Sequence, residues 1–170
     1  MVADNVYLGL GSNLGDRAAN LATALNKLGR YVEIVAISRI YETEPVGFSN
    51  QPSFFNLACH ATTTLSPEDL LARIKDVERL MGRVPTFRNG PRVIDIDILL
   101  FAGVIMRTAT LVVPHPALPD RRFVLTPLSD IAPDLEHPVL HKTMTQLAAD
   151  CPDPSWVRPA YGGHDVSAVC

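Results

Sequence analysis

Apolar and polar residues follow two different spacings along the chain, and the spacing changes several times before residue 101. Alternating or β-branched stretches, which are typical of strands, cover residues 6–10, 32–44, 54–65 and the end of the segment 90–101. Apolar residues recur every three or four positions, as on a helix packed along one side, in residues 16–29 and 66–82. Each helical segment opens with a capping residue, Asp16 or Ser66, and closes at a glycine.

These elements indicate a fold class. The order β-α-β-β-α-β is typical of an α+β fold of the ferredoxin-like kind, in which an antiparallel sheet carries its helices on one face. The other face would then be open for chemistry. Weaker patterns after residue 113 predict two short extra helices, over residues 122–128 and 143–150. We expect a single domain over residues 1–150 and a tail over residues 151–170 that is rich in proline and glycine.

Composition limits the possible classes of protein. The chain has 170 residues, 47% of them hydrophobic and 19% charged, with a net charge of −3, so it can bury one core and is no general binder of polyanions. Its three cysteines have no metal-ligand spacing, which favours a reducing compartment. The longest apolar run, residues 98–106, is too short to span a bilayer, and the first residues lack the pattern of a signal peptide. We expect a cytoplasmic monomer with neither a membrane nor a nucleic acid as partner.

Two carboxylates interrupt the last strand pattern, in the stretch GPRVIDIDILLF. Because side chains alternate along a strand, Asp95 and Asp97 point to one face, about 6.6 Å apart, and the flanking isoleucines point to the other. Two unpaired carboxylates at that distance repel by about 2–3 kcal/mol at an effective dielectric constant near 20, so one explanation is a positive group between them. The other explanation is a solvated outer face, on which alternating acids cost little.

A basic loop leads into this strand. Residues 83–92, RVPTFRNGPR, hold three arginines and no acid, and a glycine and two prolines suggest a shaped loop. Arginine binds phosphate through paired hydrogen bonds, and Mg²⁺ is usually held by one or two carboxylates together with substrate phosphates. The loop and the aspartates would together form a magnesium and polyphosphate site, with two ions bridged by the aspartates. A solvated loop is the alternative.

Three further positions have both a chemical and a plain structural interpretation. Glu78 lies near the end of the second helix, where a negative charge is unfavourable, so we expect it to have a partner, either a following arginine or Lys75. His115, between two prolines, is either a ligand or a structural residue. Phe54 and Asn56, beside a proline-containing loop, belong either to the core or to a stacking platform with an amide that reads the edge of a base.

The chain resembles the 6-hydroxymethyl-7,8-dihydropterin pyrophosphokinases of the folate pathway in four stretches: LGLGSNLGD, YETEPVG with QPSFFN, GRVPTFRNGPRVIDIDILLF and VPHPALPDRRFVLTPLSDIAP. The third is the most specific, since Gly-Pro-Arg followed by Asp-x-Asp at this spacing is diagnostic of that family. The likeness extends over about residues 6–150. It implies the ferredoxin-like fold and the transfer of a pyrophosphoryl group from ATP to the hydroxymethyl group of the pterin, with release of AMP.

The resemblance also implies roles for individual residues. Asp95 and Asp97 match the ligands of two Mg²⁺ ions, and Arg83 and Arg92 match arginines that contact the triphosphate, so these four would carry catalysis. The remaining positions on the ATP side are Leu71, Glu78, Ile98, His115 and Arg121. The pterin pocket, in which two rings sandwich the bicycle and an amide reads its polar edge, is matched by Thr43, Val46, Phe54, Asn56 and Phe123.

The chain departs from the family pattern at three positions. Asn89 stands where some members have tryptophan, and Pro85 where some have a second basic residue, so the resemblance does not predict a loop seal by those two side chains. Phe54 keeps the ring but lacks the hydroxyl of a tyrosine found in other members.

Two other interpretations start from the same elements. RNA-recognition modules share the element order and stack bases on sheet aromatics, for which Tyr7 and Phe54 are candidates. The net negative charge and the two aspartates on the sheet disfavour that interpretation. The glycine-rich turn at residues 9–15 has the wrong spacing for a dinucleotide fingerprint, so we interpret it as a tight turn between strand and helix.

Overall fold

The strands pair antiparallel throughout, in an order across the sheet that differs from their order in the chain. A computed structural model of the protein describes residues 2–160. Within them the strands are β1 (Asp4–Ser12), β2 (Glu33–Ile37), β3 (Tyr41–Thr43), β4 (Phe54–Thr63), β5 (Asp95–Phe101), β6 (Met106–Arg107), β7 (Val112–Val113) and β8 (Val157–Pro159). The helices are α1 (Arg17–Leu28), α2 (Pro67–Leu80), α3 (Arg122–Ile131) and α4 (Met144–Asp150), with a short 3₁₀ helix at Leu118–Asp120. None of the helices within residues 2–160 is long and apolar enough to cross a membrane.

The main sheet has the order β5-β1-β4-β3-β8 in the part of the chain that the structure describes, with β2 also paired to β4. β6 and β7 pair separately. The βαββαβ arrangement is present with additions after β5, and the predicted ferredoxin-like α+β fold is confirmed. β5, which bears the two aspartates, lies at one edge of the sheet.

The segment predicted as one strand over residues 32–44 is divided into β2 and β3, which both pair with β4. Ser38 lies at the break. Its N–H donates to the carbonyl of Ala58 at 2.9 Å, and its hydroxyl accepts from the N–H of Ala58 at 2.8 Å. Because the side chain supplies an acceptor that a strand backbone would otherwise supply, the chain changes direction without leaving a buried N–H unpaired.

The helix caps agree with the sequence. Asp16 accepts a hydrogen bond from the N–H of Ala19 at 3.0 Å, and Ser66 accepts one from the N–H of Asp69 at 3.1 Å. Gly82, just after α2, has a φ of +83°, a left-handed conformation that glycine adopts without a steric penalty. These contacts set the ends of the two helices that the apolar spacing predicts.

Different helices cover the two faces of the sheet. α1 and α2 pack on one face, and the largest buried side chains there include Leu8, Leu10, Leu21, Leu25, Leu70 and Ile74. The other face is less open than we expect from the sequence, because α3 and α4 bury Leu125, Leu128 and Met144 against it. It stays open at the beginning of β5, where Asp95 and Asp97 line the pockets described below.

Part of the predicted tail joins the sheet. β8 pairs with β3, which places Val157 opposite Thr43 and Pro159 opposite Tyr41. Cys151 packs in the core beneath α3. Three residues that include a proline show no strand pattern, so the sequence does not predict β8. Residues 161–170 lie outside the described residues, and the division of the chain after residue 150 stays a prediction.

A carboxylate on α3 ties this helix to β3. Asp130 accepts hydrogen bonds from the hydroxyl of Tyr41 at 2.8 Å and from the guanidinium of Arg39 at 3.0 and 3.1 Å. Burial alone would raise the pKa of Asp130, but these hydrogen bonds outweigh burial and lower the pKa from its usual value. The folded protein therefore stabilises the charged form of this carboxyl.

We expect Asp130→Asn to lower the free energy of unfolding by about 1–3 kcal/mol at neutral pH, because hydrogen bonds to a charged group are stronger than neutral ones. The folded-state pKa is depressed, so the contribution is fully present above the unfolded-state pKa near 4 and is lost as the pH falls through the folded-state pKa. Urea unfolding of both proteins at about pH 7 and about pH 2.5 measures the change, with the exposed Asp134→Asn as control. An equal difference at both pH values would contradict the ionic contribution.

Candidate active site

The two aspartates project from the beginning of β5. They lie on the face opposite to Ile96, which is buried, as the alternation of side chains predicts. The Asp95 and Asp97 side chains are 24% and 34% exposed. Both line two adjoining pockets, so they belong neither to the core nor to an open, solvated face.

Asp95 is held between two arginines of the loop at residues 83–92. Arg83 Nη1 lies 2.8 Å from Asp95 Oδ1, and Arg92 Nη2 lies 3.3 Å from Asp95 Oδ2. The loop that precedes the strand therefore supplies the positive charge that the sequence requires beside the acids. Since all three side chains are more than two-thirds buried, these ion pairs are screened less than surface pairs.

Glu78 connects α2 to the same cluster. Its side chain is 5% exposed, and its Oε1 lies 3.0 Å from Arg83 Nη1 and accepts the N–H of Ile96 at 3.0 Å. Its Oε2 accepts from Lys75 Nζ at 3.2 Å. Glu78 therefore contacts both of the partners that the sequence suggests as alternatives, an arginine and Lys75. Its carboxylate positions Arg83 against the first residues of β5.

Asp97 has fewer cationic neighbours than Asp95, which two arginines contact. Its ion-pair contact within residues 2–160 is His115 Nε2, 3.9 Å from Asp97 Oδ2. Burial raises the pKa of Asp97 to about 7, the charge of Asp95 adds to the rise, and Arg121 opposes it. Burial and Arg121 lower the pKa of His115, so its imidazole is neutral at pH 7 and contributes little positive charge. A cation placed beside Asp97 would meet a charge that the protein leaves largely uncompensated.

This donor set fits Mg²⁺ as a site that a substrate completes. No group of three or more His, Cys, Asp or Glu side chains that could hold a metal occurs within residues 2–160. Two carboxylates are the number that Mg²⁺ commonly takes from a protein, with waters and phosphates as its other ligands. Asp95 and Asp97 therefore fit a metal that arrives with a polyphosphate, and they do not fit one held by protein ligands alone.

The more polar of the two pockets, which we call the anion pocket, carries most of the cationic side chains of the site, beside Asp95 and Asp97. Arg83, Arg88, Arg92 and Arg121 line it together with His115. Arg92 donates through Nη1 to the carbonyl of Gly90 at 2.8 Å, whereas its buried Nε has no hydrogen-bond partner among the described residues. A buried donor without a partner costs free energy that an incoming anion would recover. Arg88 belongs to the predicted arginine loop, but the resemblance gives it no individual role.

The second pocket, which we call the apolar pocket, is lined by two phenylalanine rings and one amide side chain. All five residues that the resemblance assigns to the pterin line it: Thr43, Val46, Phe54, Asn56 and Phe123. Asn56 Nδ2 donates to Thr43 Oγ1 at 2.7 Å, which fixes the orientation of the amide. Gly11 faces the amide oxygen so closely that a Cβ at this position would collide with it.

The two pockets share one wall. Asn89, Arg92, Asp95, Asp97 and Arg121 line both of them. Arg92 Cζ also lies 4.8 Å from the ring centroid of Phe54, and Arg121 Cζ lies 5.5 Å from the ring centroid of Phe123. Two guanidinium groups of the anion pocket therefore contact the aromatic rings of the apolar pocket. A group bound in one pocket would therefore meet a group bound in the other at the two aspartates.

Asn13, in the glycine-rich turn after β1, braces the loops around these pockets. Its Oδ1 accepts the N–H of Arg92 at 2.8 Å, and its Nδ2 donates to Gln51 Oε1 at 2.9 Å and to the carbonyl of Pro52 at 3.0 Å. Periodicity gives no sign of this role, since a lone amide in a turn is common. The stretch LGLGSNLGD, which carries part of the resemblance, is the signal that could have pointed to it.

Two phenylalanines join the loops that flank the pockets. The rings of Phe48 and Phe87 meet edge to face with centroids 4.9 Å apart. Gln51 Nε2 adds a hydrogen bond to the carbonyl of Asn89 at 2.7 Å. The side chain of Asn89 also lies against Gly47 of the facing loop, so closely that a Cβ at Gly47 would collide with it. These contacts together join the two loops.

Three residues with assigned or possible roles lie elsewhere. Ile98 is buried in the core beneath α1 and α2, whereas Leu71 is a partly buried residue of α2 that packs against this core. Neither lines the two pockets. Their place on the ATP side stays a prediction. Tyr7, which the RNA interpretation requires as a platform, stacks on His60 at 4.6 Å and packs against the core of the second face.

Comparisons with known proteins agree with this geometry. The family model of 7,8-dihydro-6-hydroxymethylpterin-pyrophosphokinase (HPPK) matches residues 7–133. The chain is 47% identical over 142 residues to a 2-amino-4-hydroxy-6-hydroxymethyldihydropteridine pyrophosphokinase of Aquifex aeolicus, covering 84% of this chain and 89% of the relative. It is 49% identical over 148 residues to the folic acid synthesis protein FOL1 of Dictyostelium discoideum, covering 87% of this chain but only 22% of the relative's length.

Solved structures show the same fold. The wild-type HPPK-DHPS of Plasmodium falciparum superimposes with a TM-score of 0.73 at 19% identity, covering 88% of this chain and 45% of that one. The chain thus spans less than half of this structure and about a fifth of the FOL1 protein, and nearly all of the Aquifex protein. The match of the family model over most of the chain, together with these relatives, shows that the chain belongs to the 7,8-dihydro-6-hydroxymethylpterin-pyrophosphokinase family.

Proposed function

We propose that the chain transfers the terminal diphosphoryl group of ATP to the hydroxymethyl group of 6-hydroxymethyl-7,8-dihydropterin, an activity in folate biosynthesis. The hydroxymethyl oxygen forms a bond to the β-phosphorus, the bond from that phosphorus to the α,β-bridging oxygen breaks, AMP leaves, and the hydroxyl proton is released. The observation that carries the proposal is the shared wall, because a ring pocket and an anion pocket meet at Asp95 and Asp97.

Two Mg²⁺ ions with ATP would be held by Asp95 and Asp97. When bound, the ions would neutralise the oxygens between which the diphosphoryl group moves. Asp97 lines both pockets and has, within residues 2–160, His115 Nε2 at 3.9 Å as its ion-pair contact, which supports this assignment. At Asp95 the arginines already occupy both carboxylate oxygens, so Arg83 and Arg92 would exchange this partner for phosphate oxygens when the nucleotide binds.

The other side chains position the two substrates. Arg83 and Arg92 contact the triphosphate and stabilise charge during transfer, and the remaining residues on the ATP side are Leu71, Glu78, Ile98, His115 and Arg121. On the pterin side, Phe54 and Phe123 stack on the bicycle, Asn56 reads its polar edge, and Thr43 and Val46 complete the pocket. We further propose that the chain acts as a cytoplasmic monomer without a membrane or nucleic-acid partner.

The decisive experiment identifies the nucleotide product. The protein is incubated with ATP, Mg²⁺ and 6-hydroxymethyl-7,8-dihydropterin, and the nucleotides are separated and quantified. AMP formed in proportion to the pterin diphosphate supports the proposal. ADP as product, or AMP formation that does not depend on the pterin, would overturn it.

We expect Phe54→Ala and Phe123→Ala to weaken binding of the pterin about 5- to 150-fold, since stacking of one aromatic ring on a base contributes about 1–3 kcal/mol. The affinity for ATP should change much less, because the rings line the apolar pocket and not the anion pocket. Calorimetric titration with each ligand measures both values. Phe101→Leu, in the core beneath the helices, is the control for a general loss of packing. An equal loss of affinity for both ligands would contradict the pocket assignment.

A further inference from the structure

Residues 151–159 contact both walls of the apolar pocket. One wall consists of β3 and the residue after it, which contribute Thr43 and Glu44 to the lining. The other wall is the beginning of α3, which contributes Arg121 and Phe123. The sequence assigns this segment no role, yet it leaves the second core at Cys151 and ends as the strand β8.

The first contact is a cap of α3 that is supplied by Asp153, 31 residues after Arg122 in the chain. Arg121, which precedes α3, forms no side-chain cap. Asp153 Oδ2 accepts the N–H of Arg122 at 3.0 Å instead, and the carbonyl of Asp153 accepts from Arg122 Nε at 2.9 Å. A carboxylate at this place satisfies a free N–H of the first turn and interacts favourably with the helix dipole. Asp153 therefore fixes the position from which Arg121 and Phe123 extend.

The second contact is a double hydrogen bond to the opposite wall. The N–H of Glu44 donates to the carbonyl of Trp156 at 3.1 Å, and the N–H of Trp156 donates to Glu44 Oε2 at 3.1 Å. From there β8 pairs with β3, where Arg158 forms an ion pair with Glu42. The two anchor points, Asp153 and Trp156, are three residues apart, so the chain between them spans at most about 11 Å.

We infer that residues 153–158 are a strap that sets the separation of the two walls of the pterin pocket, with Asp153 as a positioning residue for Phe123. This role rests on the proposed function. It means that residues 153–158, which do not line the pocket, contribute to the affinity for the pterin. A strap of fixed length limits how far α3 can move from β3, and the gap between Phe54 and Phe123 depends on that distance. The anion pocket shares Arg121 with the wall that the strap holds, but its other lining residues lie in the loop at residues 83–92, on β5 and at His115, so the strap should affect ATP binding less than pterin binding.

Asp153→Ala should raise the dissociation constant of the pterin about fivefold to tenfold, equivalent to the loss of one helix cap, and that of ATP by less than about twofold. Asp153→Asn, which keeps an acceptor for the N–H of Arg122, should restore most of the pterin affinity. Asp150→Ala is the matched control, since that carboxylate pairs with Lys142 on the surface. Calorimetry with each ligand on the full chain measures these values.

Amide hydrogen exchange of the protein without ligands tests the strap separately from the proposed function. Asp153→Ala should accelerate exchange at residues 122–125 and also at residues 41–44, across the pocket, while α1 and α2 keep their protection. Faster exchange at residues 122–125 alone would make Asp153 a local cap and overturn the inference, as would an equal loss of affinity for both ligands. If the unaltered protein does not bind the pterin, the proposed function fails, and the exchange at residues 41–44 still decides whether the strap joins the two walls.

Discussion

Turnover is expected to fall by about 10³-fold when Asp97 is replaced by alanine, a loss of about 4 kcal/mol of transition-state stabilisation, and Asp95→Ala should be similar. Both changes remove an oxygen ligand at the place where the charge of the transferred group must be neutralised. The geometry distinguishes the two variants. Asp97→Ala removes a carboxylate with little compensation, whereas Asp95→Ala also frees Arg83 and Arg92 from their partner.

Single-turnover rates with saturating ATP and pterin, measured over a range of Mg²⁺ concentrations, test this expectation. Asp4→Ala, an exposed carboxylate at the far end of β1, is the control for the loss of one negative charge. A variant of Asp95 or Asp97 that keeps more than about a tenth of the native rate, an effect below about 1.4 kcal/mol, would show that the carboxylates are not the metal site.

Arg83→Ala and Arg92→Ala should each lower turnover by about 10²- to 10³-fold, or about 2.7–4 kcal/mol, as for the loss of one donor that stabilises developing charge. The affinity for the nucleotide should fall by no more than about tenfold, because Mg²⁺ meets much of the triphosphate charge before transfer and interactions made only in the transition state change the rate. Lysine at either position should restore part of the rate, since it keeps the charge and loses the paired hydrogen bonds.

Binding titrations with ATP and single-turnover rates of the same arginine variants show whether the arginines act on affinity or on the rate of transfer. Arg83 also contacts Glu78 and Asp95, so Arg83→Ala leaves two carboxylates without their common partner and its thermal stability has to be measured as well. Arg79→Ala, which removes an exposed guanidinium from α2, is the matched control. If the affinity fell as far as the rate, the loop would be an anchor for the ground state and its arginines would have no special role in transfer.

Patterns among residues close in the chain predict the helices, their ends and the faces of the strands. The caps at Asp16 and Ser66, and the alternation that separates Asp95 and Asp97 from Ile96, depend on residues that are close in the chain, and the structure agrees with each of them. Local signals also suggested that something positive lies beside the acids. They pointed to the arginine loop at residues 83–92, but not to which guanidinium binds Asp95, because the position of Arg83 depends on Glu78, which reaches the cluster from another element.

The remainder depends on contacts between distant residues. The break between β2 and β3 requires Ser38 to meet Ala58, and the cap of α3 comes from a residue 31 positions later in the chain. Neither leaves a periodic trace. The sequence also does not predict the hydrogen bonds of Asn13. Its partners, Arg92 and Pro52, lie in loops that come close to Asn13 only in the folded chain.

The position of β5 at the edge of the sheet has a consequence for self-association. An exposed edge strand offers free N–H and carbonyl groups to which another chain can add. Here the carboxylate of Glu78 occupies the N–H of Ile96, and the N–H of His115 occupies the carbonyl of Leu99. At the opposite edge of the sheet that residues 2–160 form, β8 is three residues long and ends in a proline, which has no N–H to donate. The contacts that hold Glu78 and His115 at the site therefore also occupy two of the backbone groups through which a second copy could extend the sheet at β5.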